Sequence, residues 1–147
     1  MPKRKPYVEP QTLTAVIESK TRSYFLSEEQ EHRRVDDEAI IDVVGRIEEI
    51  SPAHKRHQGK QIEMSFVCSR SYSRDDPTPT TDKPFLLSVN LRGEQRSLMA
   101  YMPADAFWAV SSMIVSGEIT HVEARFAPAH QGHGDLLSLH WRGPAIV

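Results

Sequence analysis

The stretch HKRHQGK, residues 54–60, packs two histidines, three cations and a glycine into seven residues, the densest group of reactive or charged side chains in the chain. Two chemistries are open to it. The first is metal binding: His54 and His57 form an H-x-x-H pair, His130 and His133 repeat it, and His121 and His140 fall on the polar faces of two late β runs. Neutral imidazole ligates zinc, copper or nickel, and four such nitrogens could complete a site. An H-x-x-H in a loop, however, is not expected to hold both rings on one face as an i, i+4 helical pair does, and neither pair has a cysteine or an obvious orienting carboxylate beside it. These six histidines are therefore the weaker candidates, scattered surface histidines are the simpler reading, and no metal or other cofactor is expected.

The second chemistry is electrostatic. Residues 51–74 carry Lys55, Arg56, Lys60, Arg70 and Arg74 against Glu63 alone, a net of +4, whereas residues 28–49 carry nine acids against Arg33, Arg34 and Arg46, a net of −6. A basic hairpin can track a phosphate backbone while bases stack on rings, each stacked base being worth about 1–3 kcal/mol. The candidates for binding single-stranded nucleic acid are accordingly Lys55, Arg56, Lys60, Arg70 and Arg74, with Tyr72 as the ring. Two duller readings compete. Lysines on a hairpin tip discourage edge pairing, and charge sorted along the chain equally suits a protein partner or self-association through complementary patches.

Catalysis finds no foothold. The sequence has no G-x-S-x-G elbow, no phosphate-cradling glycine loop, no H-E-x-x-H and no G-x-G-x-x-G. His121-Val-Glu123 has the form of a deaminase H-x-E without the paired cysteines that would complete its zinc site. Cys68 falls on an apolar strand face and reads as core. A non-enzymatic binding module is the expectation.

The elements that must position these groups are mostly strands. Leu13, Ala15 and Ile17 alternate with polar neighbours, giving a half-buried strand over 12–18. Ser27 followed by Gln30 has the capping-box spacing and predicts a short helix over Glu28 to Arg34. AIIDVVGRIEEI, residues 39–50, is rich in β-branched residues, with Gly45 marking a bulge or bend. QIEMSFVCSRSY follows with Ile62, Met64, Phe66 and Cys68 on one face, so the opening stretch joins two strands of a long hairpin. Residues 73–84, with three prolines, form an exposed loop. FLLSVNL and RSLMAYM make a second hairpin around Arg92 to Gln95. Phe107, Val110, Ser111 and Ile114 fall at helical spacing before Gly117, predicting a helix over 104–116 whose aromatic pair, Phe107 and Trp108, belongs to the core. A last hairpin turns Thr120, Val122, Ala124 and Phe126 inward on one strand and Leu137, Leu139 and Trp141 inward on the other, around the loop APAHQGHG.

The whole chain has 147 residues, 39% hydrophobic and 26% charged, with net charge −2 and one cysteine. That length suits one domain able to bury roughly two-thirds of its unfolded surface. Residues 1–10 read as a flexible basic tail and 11–147 as a single β-rich domain. With no internal disulfide and no uninterrupted apolar segment of signal or membrane length, a cytoplasmic protein without membrane attachment is expected. A nucleic-acid coat would be basic overall, so such a role here rests on the local patch.

Closing a bent antiparallel sheet on itself removes its edges, and one amphipathic helix can plug an open end. The order of strands and helix from residue 39 to 142, the glycine in VVGRIEEI, and the helix leading through Gly117 into IVSGEITHVEARF resemble the OB-fold, the oligonucleotide- and oligosaccharide-binding barrel. The resemblance implies a small antiparallel barrel with one helix before the last hairpin, and places a binding loop at the first hairpin tip, where Lys55, Arg56 and Lys60 lie. The extra hairpin at Arg92 to Gln95 and the strand before residue 30 depart from that plan. A β-sandwich with an inserted helix is the alternative.

Overall fold

The computed structural model describes residues 9–31, 34–69 and 86–144. Seven strands run in chain order: β1 (Gln11–Glu29), β2 (Arg34–Ile50), β3 (Gln61–Ser69), β4 (Leu86–Asn90), β5 (Ser97–Tyr101), β6 (His121–Phe126) and β7 (His133–Arg142). A 3-10 segment (Pro52–His57) joins β2 to β3, and one α-helix, α1 (Ala104–Ser116), lies between β5 and β6. The strands close into a barrel in the order β1-β2-β3-β5-β4-β7-β6, with β6 returning to β1. Every pairing is antiparallel except β3 with β5. The closed ring excludes the sandwich alternative: β1 pairs with β2 on one side and β6 on the other, so its first half has no edge.

Alternation explains the core. Leu13 and Ala15 on β1, Ile41 and Val43 on β2, Ile62, Met64 and Phe66 on β3, and Val122, Ala124 and Phe126 on β6 all point inward and are buried. Each large side chain of this set contributes about 1.5–3 kcal/mol by leaving water. Gly45 sits where the chain bends: a Cβ there would stand 2.8 Å from the Val16 carbonyl oxygen and 2.9 Å from Met64 Cε. Opposite it the β1 register shifts between Ile17 and Ser19, leaving Glu18 as the extra residue of a bulge.

Helix α1 occupies its expected residues and ends at Gly117, which is left-handed at φ 83° and donates its N–H to the Ile114 carbonyl. Phe107 and Ile114 are fully buried against the barrel, but Trp108 is 46% exposed, contrary to expectation. Consecutive helical residues are about 100° apart, so Phe107 turning inward carries Trp108 out toward solvent.

Three further expectations change. Among the described residues of the span Glu28 to Arg34 no helix forms: β1 continues as strand to Glu29, a turn follows at 30–31, and β2 begins at Arg34. Ladder bonds to the β-branched β2 satisfy the backbone there, pairing Tyr24 with Ala39 through to Glu29 with Arg34, whereas an isolated seven-residue helix would be too short to offset its nucleation cost. Leu137 is 47% exposed and Leu136 takes its place in the core. The reason is a register shift in which Arg125 pairs with Ser138 and Phe126 with Leu136, leaving Leu137 as the extra residue. The first strand is also far longer than 12–18, because residues beyond Ser19 pair with β2 alone. No described helix is long and apolar enough to cross a membrane.

Candidate functional site

Strand directions gather three loops at one end of the barrel. β2 ends there, β3 and the parallel β5 begin there, and β6 ends beside the start of β1, so segments 51–60, 91–96 and 127–132 share one rim. Helix α1, which leaves the far end of β5, lies at the opposite end.

The 51–60 loop is tightly tied. Ser51 exchanges two hydrogen bonds with Thr12, its N–H donating to the Thr12 carbonyl at 3.0 Å and its Oγ accepting from the Thr12 N–H at 2.9 Å. Gly59 donates its N–H to the Ile47 carbonyl at 2.7 Å, while its own carbonyl accepts from Arg46 Nη1 at 2.9 Å. Pro52, whose fixed φ suits a first turn, opens the 3-10 segment.

A 3-10 turn has three residues per turn, so positions i and i+3 eclipse. The backbone departs from this at His54, with φ −118° and ψ 21°, so two turns meet there, yet His54 and His57 still turn to the same side, against the expectation for a loop H-x-x-H, with ring centroids 6.4 Å apart. Both are buried, while Lys55, Arg56 and Lys60 remain exposed. The loop thus sorts its side chains, histidines anchoring and cations presenting.

The anchors reach the other two loops. Arg96, itself buried, donates Nε–H to His57 Nδ1 at 2.7 Å. Because a guanidinium only donates, Nδ1 must carry its lone pair, and His57 is the neutral tautomer protonated at Nε2. Arg96 also donates to the Glu94 carbonyl at 3.3 Å. His54 Nε2 lies 2.7 Å from Gln11 Oε1, which also accepts the Ala129 N–H at 3.3 Å. That carbonyl oxygen can only accept, so His54 carries its proton on Nε2. The remaining ring nitrogens, His54 Nδ1 and His57 Nε2, are buried without a protein partner. Burial and the Arg56 guanidinium hold His54 below its ordinary pKa. Burial, then Arg96, Arg56 and His54, hold His57 below its own, against a smaller opposing pull from Glu94.

Two more contacts lock the rim. Leu91 donates its N–H to the Gly132 carbonyl at 2.6 Å. Gly132, at φ 81°, lies against Arg92, where a Cβ would come within 3.1 Å of the Arg92 Cα. His130 and His133 exchange backbone hydrogen bonds across Gln131 and Gly132, both at positive φ, so this second H-x-x-H is a hairpin turn. The exposed rim then carries Lys55, Arg56, Lys60 and Arg92 with His130 and His133, against the almost fully exposed Glu94.

The other candidates lie elsewhere. Arg70, Tyr72 and Arg74, like the 73–84 loop, fall outside the described residues. Ser69 ends β3 about 27 Å from Gln61, at eight steps of about 3.4 Å, so the described part of β3 carries the chain away from the rim. His121 accepts or donates through Nδ1 to Thr120 Oγ1 at 2.8 Å and meets Glu48 Oε2 at 3.1 Å through Nε2. His140 stands opposite Glu123 in the β6–β7 ladder rather than opposite His121. Among the described residues no group of three or more His, Cys, Asp and Glu side chains could hold a metal ion. Cys68 is half-buried, and burial followed by Asp37 pushes its thiol above the ordinary range, away from nucleophilic thiolate.

Arg96, Gln11 and Arg92 escaped sequence reasoning. Only the pairing of Glu63 with Ser97 brings Arg96 beside His57, and that parallel pairing has no local signature. No protein-family model, curated protein or solved structure matches the chain.

Proposed function

We propose that the chain is a non-catalytic binding module that takes single-stranded nucleic acid across the basic rim of an OB-like barrel. One observation carries this reading: Lys55, Arg56, Lys60 and Arg92, from two loops far apart in sequence, stand exposed on one rim held rigid by buried His54, His57 and Arg96. Pre-ordered cations lose less entropy on meeting phosphates than cations on a free loop. Among the described residues, loops 51–60, 91–96 and 127–132 carry no phenylalanine, tyrosine or tryptophan. Phosphate contacts therefore dominate, and binding is tolerant of base sequence and steep in salt.

The test is titration of a labelled oligothymidylate. With four phosphates neutralised, the logarithm of affinity falls with slope about −2.8 in log salt, so going from about 50 to about 200 mM weakens binding about 50-fold. Charge reversal at Lys55, Arg56 and Lys60 together removes most of it. No binding at the lower salt retires the nucleic-acid reading.

A second reading, docking on a protein, has its own observation at the other end. Tyr24, Phe25 and Leu26 are consecutive on β1 and exposed by 56%, 63% and 59%. Alternation sets Tyr24 and Leu26 on one face of the ribbon and Phe25 on the other, and exposed apolar residues on both faces of one strand segment suit an occupant laid along its edge.

A further inference from the structure

We propose that the outer half of β1 pairs edge to edge, antiparallel, with the same segment of a second copy of this chain, about a twofold axis at Phe25. The inference rests on the second reading above and is independent of the nucleic-acid one.

The open edge comes first. β1 pairs with β6 only from Gln11 to Val16, and the Ile17 N–H still bonds to the Thr120 carbonyl. Beyond that point, no described strand lies on this side of β1, although β2 accompanies it on the other side to Glu29. Residues 18–26 are all exposed. An edge of this length with no described strand beside it, and with apolar residues at its centre, is what soluble proteins blunt unless it has an occupant. No proline interrupts it, and among the described elements helix α1 meets it through Lys20 and Arg22.

The residue order identifies the occupant. Residues 20–29 read KTRSYFLSEE: cations at the start, apolar residues in the middle, acids at the end. An antiparallel partner of identical sequence runs the other way, so the segment meets its own complement. A twofold axis perpendicular to the sheet preserves faces and pairs residues of like parity. With Phe25 on the axis, Arg22 stands opposite Glu28 of the second copy and Tyr24 opposite Leu26 of the second copy, all on one face. Phe25 meets Phe25 of the second copy on the other face, flanked by Ser23 opposite Ser27. Moving the axis to Tyr24 sets Arg22 against Leu26 and loses the charge match, and parallel pairing would place like on like. Arg22 is available for this pairing, since its contact from Nη1 to Ser111 Oγ is 3.5 Å, at the limit of a hydrogen bond. Lys20 stays with its own helix, donating Nζ to the Ile114 carbonyl at 2.7 Å. An isologous contact of this kind closes at two copies and does not propagate.

The mass of the full chain in solution, followed over a concentration series, rises from 16.7 kDa to twice that value. Phe25→Lys, which sets two ammonium groups together on the axis, keeps the monomer at every concentration. Arg22→Glu alone and Glu28→Arg alone each weaken the dimer about tenfold or more, because each change occurs twice about the axis. Combined, they restore it. These positions are exposed, and circular dichroism checks that every variant folds. In a Cys68→Ala background, Phe25→Cys forms a disulfide-linked dimer on oxidation, because opposed antiparallel residues lie about 4.5–5.5 Å apart at Cα. Val35→Cys, on β2, does not. A strictly monomeric chain overturns the proposal, as does a dimer that ignores Phe25→Lys or whose two charge reversals simply add. If the monomer carrying a photo-cross-linking residue at position 25 captures a different protein, self-pairing falls and docking survives. If it captures nothing, both fall.

Discussion

Lowering the pH from about 7.5 to about 5.5 destabilises the fold through His54 and His57. Both are held below their ordinary pKa by burial and by neighbouring guanidinium groups, so the unfolded chain takes up protons near pH 6.5 and the folded chain only at lower pH. Their stabilising contribution is fully present above about pH 6.5 and is lost as the pH falls from there toward the folded values. While only the unfolded state is protonated, each histidine lowers stability by about 1.4 kcal/mol per pH unit, and the pair by about 2.7. The folded state has a specific reason to resist. A proton on His57 Nδ1 would displace the lone pair that accepts Arg96 Nε–H and set two cations against each other inside the rim. Arg56 and Arg96 face the pair as cations, Glu94 as the acid, and Gln11 as the neutral partner. Urea unfolding at the two pH values reads the loss, and the His54→Gln, His57→Gln double variant sets the baseline. Wild type should lose more than the variant, with a ceiling of about 2.7 kcal/mol for the two histidines over this span. Equal losses would refute the reasoning.

Other expected outcomes follow from single contacts. Arg96→Met leaves the His57 Nδ1 acceptor unpaired at a cost of about 1–3 kcal/mol, and flattens the pH dependence because the guanidinium that opposes His57 protonation is gone; a steeper dependence would contradict the tautomer assigned here. Gly45→Ala places a methyl 2.8 Å from a backbone oxygen that cannot swing aside, so denaturant unfolding should show a loss of about 1–3 kcal/mol. Phe107→Ala costs about 3–5 kcal/mol, while Trp108→Ala, at an exposed position on the same helix, costs well under half of that by the same assay.

How far the sequence could be read depended on whether a signal was local. Gly45 in a β-branched run and Gly117 after a helical spacing each report their own surroundings, as does the alternation of β3 from Gln61 to Phe66, which lapses beyond it where Val67 and Ser69 are also buried. Ser27 with Gln30 misled because the same residues that suit a helix start also suit a hairpin tip, and β2 was present to claim the backbone. Leu137 points inward only if the period-two alternation is unbroken, and one bulge breaks it; Trp108 is expected inside only as the aromatic neighbour of Phe107, and a 100° step turns it out. For the rim, the cations were legible as charge. The burial of His54 and His57 was not, because it depends on a 3-10 turn and on Arg96 arriving from a parallel strand pair.

The bulge at Glu18 has a bearing on engineering. Ile17 pairs with Gly45 and Ser19 with Val44, so Glu18 is a supernumerary residue between two correctly paired stretches. Its one polar contact of note is the 2.8 Å ion pair with Arg46 on the surface. Deleting it would leave each cross-strand partner in place while removing the local kink that a bulge imparts. The barrel and the outer ribbon are thus mechanically joined at one dispensable residue, a joint at which the direction of the ribbon can be reset without rewriting either part.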